Sequence, residues 1–335
     1  MRKISLIAVI FCCLVFMNLL SGSASIKNSD EFVMIEDLSI GVDAGDENLM
    51  FALINDIDLD AEGNIYVLDV RNSRIQKFDN KGNFLKSVRI KEGEGPQEVP
   101  RINTMAVTEK GKIYLLGGNG IKILLFDEHG EFLRFFKLDF QAIHIAPYVE
   151  ENVVVLGIKD DRLFHIFGEE GEHQDSFGEP FEIPSRYSQY KDLAPLKFPM
   201  RIDGSGGGKI FVLNPHRYEI NIYEKNKLIG LLKGKNKAFE PLRITKSNLP
   251  GIGIVFPTVS ALEYKERVYV TLLNIKTLLD KEVPNQLDIF EKGVPIASLD
   301  VDGFAYAIDK EGRLYFAEED DFPKIVRYTP KKKTS

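Results

Sequence analysis

Few residues in this 335-residue chain have the types and spacing to do chemistry. The five histidines are His129, His144, His165, His173 and His216, and none stands in a His-x-x-x-His or His-Glu-x-x-His spacing that would bring two imidazoles to one metal. No Gly-x-Ser-x-Gly elbow presents a serine nucleophile. Both cysteines, Cys12 and Cys13, lie in the first apolar segment, so the remainder has neither a thiol nucleophile nor a disulfide. Gly93-Glu94-Gly95-Pro96 and Gly204-Ser205-Gly206-Gly207-Gly208 are glycine-rich. The first has no Gly-Lys-Ser/Thr ending and no helix pattern after it, and the second falls between two strands, so neither reads as a phosphate cradle. What remains is a set of polar residues where strands begin: Asn55, Asp56, Asn103, His144, Arg201, Thr258 and Ser260. Asn55, Asp56 and Asn103 offer one carboxylate and two amides, the oxygen ligands that Ca²⁺ prefers, although Arg201 in the same set would oppose a cation. Asn103, His144 and Arg201 suit an anionic or sugar-like ligand instead. His216, in Asn214-Pro215-His216-Arg217, is a further candidate for ligand contact. His129 and His173 fall in or beside turns, where solvation is their expected role.

These residues need elements to position them, and the elements repeat. Gly63-Asn64-Ile65-Tyr66-Val67 is echoed by Gly111-Lys112-Ile113-Tyr114-Leu115, Gly208-Lys209-Ile210-Phe211-Val212 and Gly312-Arg313-Leu314-Tyr315-Phe316. Weaker copies stand at Asn152-Val153-Val154-Val155 and Glu266-Arg267-Val268-Tyr269-Val270. Anchors at 66, 114, 154, 211, 269 and 315 are 48, 40, 57, 58 and 46 residues apart, the period of a radial array of short strands. In the first copy, 54–59 alternates apolar and polar residues, 64–69 and 74–79 are strands, and 84–88 is a fourth strand after a glycine-bearing hairpin turn. Four antiparallel strands in one repeat make a propeller blade. The fold class predicted is all-β: a six-bladed β-propeller with blades over about 51–90, 101–138, 142–178, 198–233, 257–300 and 302–329. The last blade has only three strands of its own. Natural sheets avoid open edges, so 32–40 is predicted to complete that blade and close the ring. The connections 180–199, 234–257 and 271–285 exceed what a blade requires, and loops of such length often carry function.

The phrase Asp69-Val70-Arg71-Asn72-Ser73-Arg74-Ile75-Gln76-Lys77-Phe78-Asp79 resembles an NHL repeat. Gly93-Glu94-Gly95-Pro96-Gln97-Glu98-Val99 resembles a Gly-x-Gly-Pro-x-Glu-Phe phrase of exported bacterial six-bladed propellers, with valine in place of phenylalanine. The resemblance spans about 32–330. It is specific in the first blade and weak in the third and fifth. It implies the fold and leaves activity open. Some six-bladed propellers are enzymes. Gluconolactonase-type lactonases hold a metal on the axis with carboxylates and amides, and amidating lyases hold zinc with histidines. This chain lacks an evident glutamate for the first and a matching histidine set for the second.

Bulk properties narrow the context. Arg2 and Lys3, an apolar run from Ile4 to Leu20 and the small residues 21–25 read as a signal peptide over 1–24. Phe11 before Cys12 speaks against lipidation. Without Arg2 and Lys3, 41 basic residues face 50 acidic ones, a net of −9. Apart from a basic tail over 331–335 there is no positive stretch, which excludes nucleic acid as the expected partner. The expectation is an exported, periplasmic, cell-envelope or extracellular domain without a membrane span once the signal is removed. It would be a non-enzymatic binding propeller for a protein, peptide or carbohydrate, with no cofactor, using its channel rim and long loops. The alternative is a hydrolase or lactonase dependent on a divalent cation, Ca²⁺ or Zn²⁺, at the channel mouth. An envelope-complex subunit is a third option.

Overall fold

The computed structural model describes residues 31–333 except 191–193, 198, 205–206, 247–251, 256–258, 274–283 and 320. The predicted signal segment 1–24 and Thr258 thus lie outside the described residues. The strands are β1 (Phe32–Ile40); β2 (Ile54–Leu59), β3 (Ile65–Asp69), β4 (Arg74–Phe78) and β5 (Phe84–Arg89) in blade one; and β6 (Ile102–Val107), β7 (Ile113–Gly117), β8 (Lys122–Phe126) and β9 (Phe132–Lys137) in blade two. Blade three holds β10 (Ala142–Pro147), β11 (Val153–Lys159), β12 (Arg162–Phe167) and β13 (His173–Phe177). Blade four holds β14 (Asp203–Gly204), β15 (Lys209–Leu213), β16 (Glu219–Glu224) and β17 (Lys227–Lys233). A hairpin of β18 (Arg243–Lys246) and β19 (Ile252–Val255) follows. Blade five holds β20 (Val259–Tyr264), β21 (Arg267–Leu272), β22 (Asn285–Glu291) and β23 (Val294–Val301), and blade six β24 (Phe304–Ile308), β25 (Leu314–Glu319) and β26 (Pro323–Lys332). The protein is a six-bladed propeller of four-stranded antiparallel blades.

The repeated phrase is a packing code. In β3, Ile65 and Val67 point into the cluster shared with blade six, while Tyr66 and Leu68 point into the one shared with blade two. In β7, Ile113 and Leu115 pack toward blade one, and Tyr114 and Leu116 toward blade three. The same division holds in β11, β15, β21 and β25, so six apolar clusters each join two neighbouring blades. A strand apolar at every position has to be covered on both faces, and side-chain alternation sends successive residues to opposite neighbours. The leading glycine lets the next blade sit close. Gly111 has φ +85°, and a Cβ there would stand 2.7 Å from the Tyr66 hydroxyl of the preceding blade.

The ring closes as the unpaired strand predicted. β1 pairs antiparallel with β26, from Phe32↔Lys332 to Ile40↔Ile325, with a bulge between Glu36 and Leu38. Arg327 donates to Asp37 at 2.6 Å across this seam. β26 runs past 329, the predicted end of the last blade, so Lys331 and Lys332 of the basic tail are paired strand residues with exposed side chains. Among the described residues no helix is long and apolar enough to cross a membrane.

Two of the long connections pack on each other. Leu196 and Leu242 are buried among Ile183, Tyr187, Tyr190 and Ile244. The Tyr187 hydroxyl donates to the Leu242 carbonyl at 2.9 Å. Antiparallel order puts these connections, which lead into inner strands, at the opposite rim from the turns that follow the inner strands. Phe32 is fully buried in the cluster between blades five and six. Phe32→Ala is expected to cost about 3–5 kcal/mol in urea unfolding. A cost below about 1 kcal/mol would mean that the clasp frays and does not close the ring.

Candidate functional site

The inner strands β2, β6, β10, β14, β20 and β24 surround the axis. Three of them carry a one-residue register shift at the same level, between Ile54 and Asp56, Ile102 and Thr104, and Ala142 and His144, and β24 carries one two residues further along, between Ala305 and Ala307. A bulge re-aims the side chains around it. Here the shift leaves Asn55 and Asn103 at the bulges, where the Asn55 amide donates to the Asn103 carbonyl at 2.7 Å. Asp56, Thr104 and His144 then fall at one level with Arg201.

Those side chains form a polar network across all six blades. Arg201 donates to Asp56 of blade one at 3.2 Å and to Asp203 of its own blade at 2.7 Å. It also donates to the Tyr306 carbonyl of blade six at 3.3 Å, and its guanidinium lies over the Tyr306 ring, 5.0 Å from the centroid. Asp56 accepts from the Thr104 hydroxyl of blade two at 2.5 Å, and Thr104 Oγ1 stands 3.3 Å from His144 Nε2 of blade three. Asp203 accepts from the Ala261 N–H of blade five at 2.7 Å. A hydroxyl has one hydrogen. With that hydrogen on Asp56, Thr104 can only accept from His144, which fixes the Nε2–H tautomer.

The electrostatics follow from burial. Desolvation alone would lower the Arg201 pKa, but Asp203 and Asp56 overcome it and hold the guanidinium charged. Burial, with help from the Arg201 charge, holds His144 well below the usual imidazole range, so it is neutral. Burial also pushes the Asp203 carboxyl up against the opposing pull of Arg201. Arg201 is thus paired with two carboxylates at the inner end of the site.

From this network a cavity of about 440 Å³ runs to the rim formed by the turns after the inner strands, Asp60–Gly63 and Lys310–Glu311 among them. Its walls include Met105, Val107, Ile145, Leu262 and Ile308. One carboxyl group in the wall, that of Asp58, accepts only backbone N–H groups, Val107 at 2.7 Å and Leu59 at 2.8 Å. Burial pushes its pKa up to about 7, the Asp56 charge adds to this, and the two N–H groups and Arg201 oppose it.

The predicted site residues separate. Asp56, His144 and Arg201 converge at the inner end of the cavity. Asn55 and Asn103 are tied to each other beside it and do not line it. The oxygens of Asp56 are occupied by Arg201, Thr104 and the Met105 N–H, so Asn55, Asp56 and Asn103 do not form an oxygen cage. Among the described residues no three His, Cys, Asp or Glu are grouped to hold a metal. His216 lies away from the cavity, where it bonds the Leu196 carbonyl at 2.8 Å and helps to fasten the packed loops. Ser260 is fully buried with no hydrogen-bond partner for its hydroxyl among the described residues. Thr104, Asp203, Asp58 and Tyr306 were missed. Thr104 was within reach, since it stands 48 residues after Asp56, one repeat on.

Comparison with known proteins agrees with the fold. A family profile described as a 6-bladed beta-propeller matches residues 44–160. No curated protein matches the sequence. Among solved structures, an exported protein from Bacteroides fragilis aligns with a TM-score of 0.61 at 11% identity, over 92% of this chain and 98% of the other. A member of a family of unknown function from Bacteroides vulgatus gives 0.57 at 11% identity, over 91% and 99%. The virginiamycin B lyase of Staphylococcus aureus gives 0.50 at 13% identity, over 91% and 93%. At these identities the likeness is one of fold.

Two outcomes test the site. Arg201→Met leaves Asp56 and Asp203 buried without a cation and is expected to cost about 3–5 kcal/mol in urea unfolding. A loss under about 1 kcal/mol would show that the network does not hold the blades. The Asp58 contribution is full below the unfolded carboxyl value of 3.8 and is lost as pH rises through about 7. Asp58→Asn should therefore match the wild type near pH 4 and exceed it at pH 8.5, by on the order of 2–4 kcal/mol. A stability difference that stays flat across this range in a thermal-melt series would refute the raised pKa.

Proposed function

We propose that the chain is an exported, non-enzymatic binding propeller whose ligand is a protein, peptide or carbohydrate. The observation that carries this reading is the axial cavity of about 440 Å³, open at one rim, with the charged groups at its inner end already bonded to one another. A rigid concave site with a few polar groups suits ligand capture. The same bonding leaves the metal-dependent hydrolase or lactonase without support, because Asp56 is committed to Arg201 and His144 to Thr104. The packed loops at the other rim form a second, separate surface, held by Leu196, Leu242 and His216. Export is supported by the signal-like residues 1–24 and by the description of the Bacteroides fragilis structure as an exported protein.

Blade one supports an NHL-type assignment. Asp69 accepts from the N–H groups of Ala52 and Leu53, from Asn72 at 2.7 Å and from Arg74 at 3.1 Å. Arg74 in turn donates to the carbonyls of Glu47 and Met50. The Asn-x-Arg phrase thus has a structural task, which is to bind the incoming chain to the blade.

The test is a peptide library and a glycan array probed with protein recovered from the envelope fraction, whose intact mass also reads cleavage near Ala24. A discrete ligand set is expected, with affinity reduced at least about tenfold by Ala61→Trp, which narrows the cavity mouth. Ligands bound equally well by Ala61→Trp would overturn the cavity as the site. A rise of several degrees in Tm with Ca²⁺ or Zn²⁺, reversed by EDTA, would restore the metal-dependent reading.

A further inference from the structure

The charge balance inside the cavity names the chemistry of its ligand, an inference that rests on the binding role proposed for the same site. At the inner end, three carboxyl groups, those of Asp56, Asp58 and Asp203, stand against the one guanidinium of Arg201. That guanidinium is bonded to Asp56 and Asp203, and His144 beside it is neutral. Asp58 has no cationic partner among the described residues and accepts hydrogen bonds only from backbone N–H groups. Above about pH 7 the inner wall therefore carries a carboxylate, that of Asp58, with no ion-pair partner among the described residues.

The path to Asp58 has the matching character. The wall is mixed, with Met105, Val107, Ile145, Leu262 and Ile308 as its aliphatic part. At the mouth, Glu62 and Glu109 have no ion-pair partner among the described residues. The basic groups there are engaged: Lys310 with the Ala61 carbonyl, Arg313 with Asp309 and Glu311, and Lys265 over the Tyr264 ring. An aliphatic stem ending in a positive nitrogen fits aliphatic side chains that lead to a carboxyl group without a cationic partner.

We propose that the cavity takes a lysine- or arginine-like side chain of a peptide or protein, with its stem along Met105, Val107 and Leu262 and its charged end on Asp58. An anionic or neutral sugar group gains no such partner. A buried carboxylate that meets a cation recovers in the complex the interaction it lacks in the free protein.

The test is a titration of the whole mature chain at pH 8 with n-butylammonium, n-butylguanidinium and, as the neutral match, n-butanol, followed by NMR or calorimetry. At least one cation is expected to saturate the site at a concentration about tenfold or more below that of butanol, and the pair decides between lysine-like and arginine-like ligands. Asp58→Asn, checked for an intact fold by its melt at pH 5, should abolish the preference for the cation. Butanol binding as tightly as both cations, or a preference unchanged in Asp58→Asn, would overturn the proposal. The two readings fail separately. Array ligands that the cations do not displace leave the binding role standing and remove the cationic reading. Cation saturation with an empty array does the reverse.

Discussion

A buried guanidinium between two carboxylates on the propeller axis is the interaction on which the inner structure turns. A charge cannot leave water without partners, and Arg201 has Asp56 and Asp203. Each carboxylate then reaches a further blade, Asp56 through Thr104 and Asp203 through the Ala261 N–H. Apolar contacts hold each blade to its neighbour, and this network joins blades across the channel. Its position also sets the inner end of the cavity, so the packing of the ring and the shape of the site have one cause.

The second constraint is closure. Strands such as β3 and β7 are buried at every position, and each face has to meet another blade. Six inter-blade clusters satisfy that need only because β1 returns to β26 and lets blade six meet both blade five and blade one. Ring closure thus covers sheet faces as well as sheet edges.

The proposed ligand chemistry rests on a mismatch between the two levels of the inner ring. At the level of Asp56 and Arg201, charges are paired. One step along β2, Asp58 faces the cavity with no cation, although Asp203 at the matching place in blade four is bonded to Arg201. Repeated architecture makes such a difference visible, because equivalent positions in six blades show which residue departs from the rest. The cavity mouth and the packed long loops lie on opposite rims.

Sequence reading reached the fold because a propeller is written in local terms. Period-two alternation, glycine turns and recurrence of Gly-x-Ile-Tyr-Val each depend on residues close in the chain, and the missing strand of blade six pointed to 32–40. The site was only partly legible. Asp56, His144 and Arg201 were identified by their places at strand starts. The bulges that put Thr104 rather than Asn103 on the axis are decided by pairing with the next strand. The charge that the site presents could not be read from Arg201 alone, since a guanidinium invites an anion only when nothing else neutralises it. Asp56 is 145 residues away in the chain and 3.2 Å away in space. The sequence by itself determined the blades, their number and the means of closure, because these rest on local patterning repeated six times. Only the tertiary structure decided which polar groups cancel and which remain open, because that depends on distances between residues from different blades.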